Sequence, residues 1–276
     1  VSWQGTYPAM TTYNVKGKFS GLSLSAQPAR AAQPRTASSA ALVAVPAIPG
    51  FDNLTGTIDA TERRGALDLD ATNATVRLPG YLSDPLVPFE QLTMQSRWAF
   101  QSNDQLLLQI DRLDFLQDGV RVIASGNHQL SLLANDTAPG TLDMTATIAA
   151  LDINRVARYL PLHTAPPLRD WLTGALQQGQ ARAVVVRIKG DLAQFPFASN
   201  RSGDKPKGIF TVNARIDNGA MLYEPRFFGP DGKAPLWPLL EKIRGTLHID
   251  RTRLEIRADS AQTKDVALSK VRAVVP

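Results

Sequence analysis

Apolar and polar residues take turns along much of this chain. Leu142, Met144, Ala146 and Ile148 fall on one side of a run whose other side is Thr141, Asp143, Thr145 and Thr147. Phe210, Val212, Ala214 and Ile216 oppose Thr211, Asn213, Arg215 and Asp217 in the same way. Across 251–258, Leu254, Ile256 and Ala258 oppose Arg251, Arg253, Glu255 and Arg257. A period of two is that of a strand with one buried and one wet face, and such strands pair as antiparallel sheet. The same reading predicts strands at 11–24, 54–60, 66–79, 92–100, 105–115, 120–133 and 140–150, roughly ten in all with the later ones. Leu247 and Ile249 face Leu254 and Ile256 across a short polar turn, which predicts a hairpin.

One unit occurs twice. Pro49, Leu54, Gly56, Thr57 and Ile58 recur at the same spacing as Pro238, Ile243, Gly245, Thr246 and Leu247. Each copy is followed by a second alternation, Leu67, Leu69 and Ala71 in one and Leu254, Ile256 and Ala258 in the other. A duplicated hairpin points to a chain built by repeating strands rather than around one catalytic centre.

Two segments depart from the strand pattern. Residues 27–50 hold Pro28, Pro34, Pro46 and Pro49 among many alanines and read as a long surface loop. Between 153 and 178 the period changes. Ile153, Val156, Ala157 and Leu160 recur at helical spacing until Pro161, and Leu168, Trp171, Leu172, Ala175 and Leu176 form a second stripe. Pro166 and Pro167 suit the start of that second helix and Gly179 suits its C-cap, with Trp171 expected to pin it on the sheet. The expected organisation is therefore N-terminal strands at 1–26, the loop at 27–50, and a β segment at 51–276 containing the helical island at 153–178.

These elements leave a covering problem. Two short helices cannot hide one face of about ten strands, and soluble monomers rarely expose apolar patches beyond a few hundred Å². A second sheet, closure into a barrel, or an apolar ligand in a groove would each solve it, and periodicity does not separate them.

Composition narrows the function. The 276 residues carry 43% hydrophobic side chains, enough for a sizeable core, and a net charge of +5 scattered without a basic run, which gives nucleic acid no footprint. With no cysteine, disulfides, thiolate metal sites and thiol catalysis are excluded. The three histidines, His128, His163 and His248, have no ligand spacing among them. Asp111, Asp114 and Asp118 lack the glycine and terminal glutamate of an EF-hand loop, and Asp68 and Asp70 read as solvated outward residues. No serine elbow or phosphate loop is present. No catalytic residue, metal or cofactor is expected. No apolar run approaches the ~20 residues of a membrane span, and a chain opening at Val1 on strand-like sequence is expected to be an internal segment of a longer one.

The helical island also carries a resemblance. Val156, Ala157, Arg158, Tyr159, Leu160 and Pro161, followed by Leu168, Trp171, Leu172, Gly179 and the run from Gly190 to Phe197, resemble the YhdP proteins of Gram-negative bacteria, within the AsmA-like group. Phe210, Val212, Leu222, Tyr223, Trp237, Pro238, Gly245, Leu254 and Ile256 continue it, and Gly56, Leu67, Leu69, Leu78, Pro79 and Trp98 are compatible with it. The resemblance covers about residues 50–276. It implies a periplasmic protein, anchored in the inner membrane by a part of the parent chain not present here. Its curved, taco-like antiparallel sheet would carry phospholipid towards the outer membrane in an apolar groove. The implied partners are phospholipid and the two membranes, with no cofactor and no catalytic residue. On this reading Leu142, Met144, Ile148, Val184, Val186, Ile188, Phe210, Val212, Ile216, Leu247, Ile249, Leu254 and Ile256 line the groove. The alternative is a closed β-sandwich serving as a binding or assembly module of the cell envelope.

Overall fold

A computed structural model describes the chain except for residues 7–8, 30–46, 103, 134–137, 163, 165, 199–206, 231–234, 265 and 276, and the side chains at 9, 10 and 275. Thirteen strands form one antiparallel sheet in which every strand pairs with its neighbours in sequence. They are β1 (Ser2–Thr6), β2 (Ala9–Leu24), β3 (Gly50–Thr61), β4 (Arg64–Arg77), β5 (Leu86–Gln101), β6 (Gln105–Gln117), β7 (Val120–Ser131), β8 (Thr141–Asp152), β9 (Leu176–Asp191), β10 (Gly208–Met221), β11 (Leu240–Asp250), β12 (Arg253–Thr263) and β13 (Val266–Val275). The sheet is not closed: β1 and β13 are its two edges, and no second sheet lies against it among the described residues. The sandwich and barrel readings are thereby corrected. The count rises from about ten because the alternation in β1 and β13 is too weak or short to be read locally.

The helical island is real but shorter at its C-terminal side. Residues Ile153–Tyr159 form a 3₁₀ helix and Pro166–Ala175 form α1. Gly179 does not cap α1. Leu176 already pairs with Met221, and the Leu222 amide donates to the Ala175 carbonyl (2.9 Å), so the ladder of β9 ends the helix three residues early. Gly179 instead lets β9 and β10 approach, since a Cβ there would stand 2.6 Å from the Gly219 Cα. Trp171 packs against the core beneath the helix and its indole N–H donates to the Tyr223 carbonyl (2.9 Å). Of the loop at 27–50, residues 30–46 lie outside the described residues. At its ends Gln27 and Ile48 exchange backbone hydrogen bonds (3.0 and 2.9 Å).

Bulges bend the sheet. The duplicated unit marks two of them. Asn53 (φ 60°) and its counterpart Lys242 (φ 51°) both occupy the left-handed region just before buried Leu54 and Ile243, and the pairing register shifts at both. Asn53 Nδ2 donates to the Thr72 and Asn73 carbonyls (3.1 and 3.3 Å), tying its bulge to β4. Leu54, Leu69, Ala71, Ala74 and Leu92 are buried on one face although, among the described residues, no helix or second sheet packs there, as expected where a bent sheet lets its own side chains shelter one another.

The opposite face is wet, and several of its charges are paired. Arg97 grips Asp111 with two hydrogen bonds of 2.9 Å, Asp114 is held by Arg112 and Arg121, Asp118 pairs with Arg158 (3.2 Å), and Asp143 pairs with Arg187 and with Lys189 (3.0 Å). The three aspartates that invited a calcium reading are each neutralised by arginine. Asp68 and Asp70 are exposed on this face, as expected. On β12, hydrogen bonds from Arg272 and Arg257 hold the Glu255 carboxyl down to about 2. A carboxyl with a lowered folded pKa stabilises the fold above about 4.5 and loses that contribution as pH falls toward 2. Glu255→Gln is therefore expected to unfold at lower urea than the parent at pH 7, with the gap between the two midpoints closing by pH 2.

Candidate functional site

Antiparallel pairing puts directly opposed residues on the same face, so a chain of pairings can be followed across the sheet. One such row runs Phe19, Gly56, Leu69, Met94, Leu113, Ala124, Ala146, Val186, Val212, Ile249, Leu254, from β2 to β12. Every member is apolar or glycine. Ten inter-strand steps make this lane roughly 50 Å long.

Two rows lie on its hairpin side. The nearer is Gly17, Ile58, Leu67, Ser96, Ile110, Gly126, Met144, Ile188, Phe210; the farther is Val15, Ala60, Gly65, Trp98, Leu108, His128, Leu142, Gly190, Gly208. A fourth row on the other side joins Ala71, Leu92, Phe115, Val122, Ile148 and Val184; it breaks at Ala183 (φ 48°) and resumes as Ala214, Leu247, Ile256 and Ala273. In these four rows the polar side chains are Ser96 and His128. Ser96 is buried, and its hydroxyl donates to the Leu67 carbonyl (3.1 Å). The His128 Nε2 lies 2.8 Å from the Pro139 carbonyl, which can only accept, so that nitrogen carries the proton.

All thirteen candidate residues share this face. Val186, Val212, Ile249 and Leu254 are in the lane, Met144, Ile188 and Phe210 in the row beside it, and Leu142 in the row beyond. Ile148, Val184, Leu247 and Ile256 belong to the fourth row, and Ile216 sits one row further out, opposite Ala181 and Gly245. Their surroundings differ. Val184, Ile216 and Ile256 are buried in one core with Ile153 and Ala175 of the island, and Ile148, Val186, Val212, Leu247 and Leu254 are half-buried against it. Leu142, Met144, Ile188, Phe210 and Ile249 lie outside that core and are half-buried.

The face has walls that the sequence did not announce. At one end of β8–β12 the island supplies Ile153 and Trp171. At the other, the turn after β9 folds Phe197 onto Gly190 and Gly208, where a Cβ would come within 2.8 and 2.6 Å of its ring. Phe197 is completely buried, and Phe195 stands 4.9 Å from the Phe210 ring. Between the walls, Val184 and Gly190 are six residues apart along β9, about 20 Å. Of the N-terminal half of the lane, Leu69 stands out in the sequence as part of the duplicated unit, while Phe19, Met94 and Leu113 do not. The signal was there, in the alternation of 66–71 and 92–98, but nothing local shows that these strands continue the row of β8–β12.

The four rows hold no carboxylate, lysine, arginine or cysteine. Among the described residues no group of three or more metal-ligating side chains converges. His248 is on the wet face, its Nδ1 2.7 Å from Asn213 Oδ1, and His163 lies outside the described residues. An uninterrupted apolar lane on an open sheet offers contact by area alone, to something long and apolar.

These features define a β-sheet scaffold with one apolar trough. The chain belongs to the YhdP family, whose profile matches residues 1–276. It is similar to the intermembrane phospholipid transporter YhdP of Escherichia coli (strain K12), with 24% identity over 230 residues, covering 83% of this chain and 16% of the relative. The chain thus spans about a sixth of the length of that relative. No solved structure matches.

Proposed function

We propose that this chain is one segment of a lipid-transfer protein that shields phospholipid acyl chains in the apolar trough while they pass between the inner and outer membranes through the periplasm. The observation that carries the reading is the eleven-residue lane, which crosses β2 to β12 without a polar side chain. Family membership and the relative's activity support the same conclusion. Each methylene laid on the lane is worth about 0.8 kcal/mol relative to water. Because that contact has no direction, a chain can shift from one strand to the next and exchange equivalent contacts, so no single position traps it. The membranes would be reached through parts of the parent chain beyond this segment.

Purified from a bacterial envelope without detergent, the segment is expected to retain phospholipid that organic extraction and mass spectrometry identify. After gentle delipidation it is expected to bind an apolar fluorescent dye, displaceable by added phospholipid. A folded protein that neither retains phospholipid nor binds the dye would overturn the reading.

A further inference from the structure

The trough narrows along its length. On β7 its four rows are Val122, Ala124, Gly126 and His128, and none of these belongs to the core shared with the island. On β9 the same rows are Val184, Val186, Ile188 and Gly190. There Val184 is buried in the island core, Val186 is half-buried against it, and the Phe197 ring fills the space above Gly190. The arrangement repeats on β10, where Ala214 is buried in the same core, Gly208 lies under Phe197, and Phe195 stands 4.9 Å from the Phe210 ring. Only the rows of Val186 and Ile188 are left as open floor. In β11 and β12 the sheet itself stops short, since Ile249 and Leu254 are the last inward-facing pair before the hairpin turn.

Resting on the lipid-transfer reading, we infer that the passage between Phe195 and the island is the selective section of the trough. It passes the two unbranched acyl chains of one phospholipid and excludes chains of larger cross-section, with Phe195 as the specificity-determining residue. Inward-facing rows stand two residues apart, about 6.7 Å, so the floor shrinks from about 27 Å for four rows to about 13 Å for two. Non-bonded carbons approach to ~3.5–4.0 Å, so two straight chains lie side by side on the narrower floor, whereas methyl branches on them would meet the walls. The floor cannot discriminate, because contact by area has no direction; exclusion by a wall can. The two walls are not alike. The island side rests on buried Ile153 and Ala175, so trimming it would open the core. Phe195 is 47% exposed and presents the edge of an apolar ring to the trough, with buried Phe197 behind it at 5.8 Å.

The test uses two forms of phosphatidylcholine, one with a diazirine on straight chains and one with the diazirine on chains carrying a methyl branch at every fourth carbon. Each is loaded into the delipidated chain and photolysed, and labelled peptides of β7 and β9 are quantified by mass spectrometry. The straight lipid is expected to label both strands. The branched lipid is expected to label β7 normally and β9 at least fivefold less. Phe195→Ala is expected to restore branched labelling of β9 to within twofold of the straight lipid while leaving straight labelling unchanged, which a merely structural role would not produce. Equal β9-to-β7 ratios for the two lipids in the parent chain, or a parallel loss of both lipids from β9 in Phe195→Ala, overturn the proposal. Labelling of neither strand by either lipid overturns the lipid-transfer reading itself. Should Phe195→Ala fail to fold, Phe195→Leu, which keeps an apolar contact with Phe210, is expected to raise branched labelling of β9 at least twofold, and no rise overturns the assignment of Phe195.

Discussion

Val186→Asp is expected to cut phospholipid retention by roughly thirtyfold, whereas Val185→Asp, one residue away, leaves it unchanged. Val186 lies in the middle of the lane between Ala146 and Val212, and Val185 points to the wet face between Thr147 and Asn213, where it is already 38% exposed. A carboxylate in the lane keeps its water and holds two or three methylenes of an adjacent chain off the surface. At about 0.8 kcal/mol each this removes about 2 kcal/mol, and 1.4 kcal/mol is a factor of ten. The pair is matched in strand, chemistry and charge, so only the face differs. The measurement is photocrosslinking of a lipid analogue, normalised to folded protein by circular dichroism. Equal retention in the two variants would remove the lane from the transport path.

Gly245→Ala is expected to destabilise the protein by about 2 kcal/mol or more, the cost of overpacking a well-filled site. A Cβ at Gly245 would lie 2.0 Å from the Arg257 carbonyl oxygen and 2.7 Å from the Ala258 Cα. Backbone atoms held in a ladder cannot step aside as a flexible side chain can. The equivalent glycine of the first copy, Gly56, meets the Asp68 carbonyl oxygen at 2.2 Å and is expected to behave alike. Gly17→Ala is the control, since nothing lies within 4 Å of a Cβ there, and relief of backbone entropy predicts a neutral or slightly stabilising change. Thermal unfolding followed by circular dichroism measures all three, and a Gly245→Ala midpoint equal to that of Gly17→Ala would refute the close-approach account.

The repeat shows how far local pattern reaches. Its matching apolar positions were readable as strands, and its two glycines stood out by their shared spacing. That the unit is a bulge, with Asn53 and Lys242 in left-handed backbone, was not readable. Neither residue is glycine, and a lysine in that region carries no sequence signal. The helical island was readable as to its position and its apolar stripe, yet the end of α1 was misjudged because a strand pairing with Met221 competes for the same residues. Phe195 and Phe197 were seen as parts of a family pattern, while their role as a wall depends on Gly190 and Gly208 meeting beneath them.

The sequence by itself determined which side of each strand is apolar. Side-chain direction alternates with a period of two whatever the neighbours do, so Met144, Val186, Val212 and Leu254 were assigned to one face before any pairing was known. Only the tertiary structure decided that these faces join into a single lane, that the sheet stays open, and that Ile216 and Ile256 share a buried core with the island's Ile153 and Ala175 while Ile188 and Ile249 do not. Register and covering arise between residues far apart in the chain, and bulges shift register by single residues. Periodicity within a strand therefore carries no information about what stands opposite it.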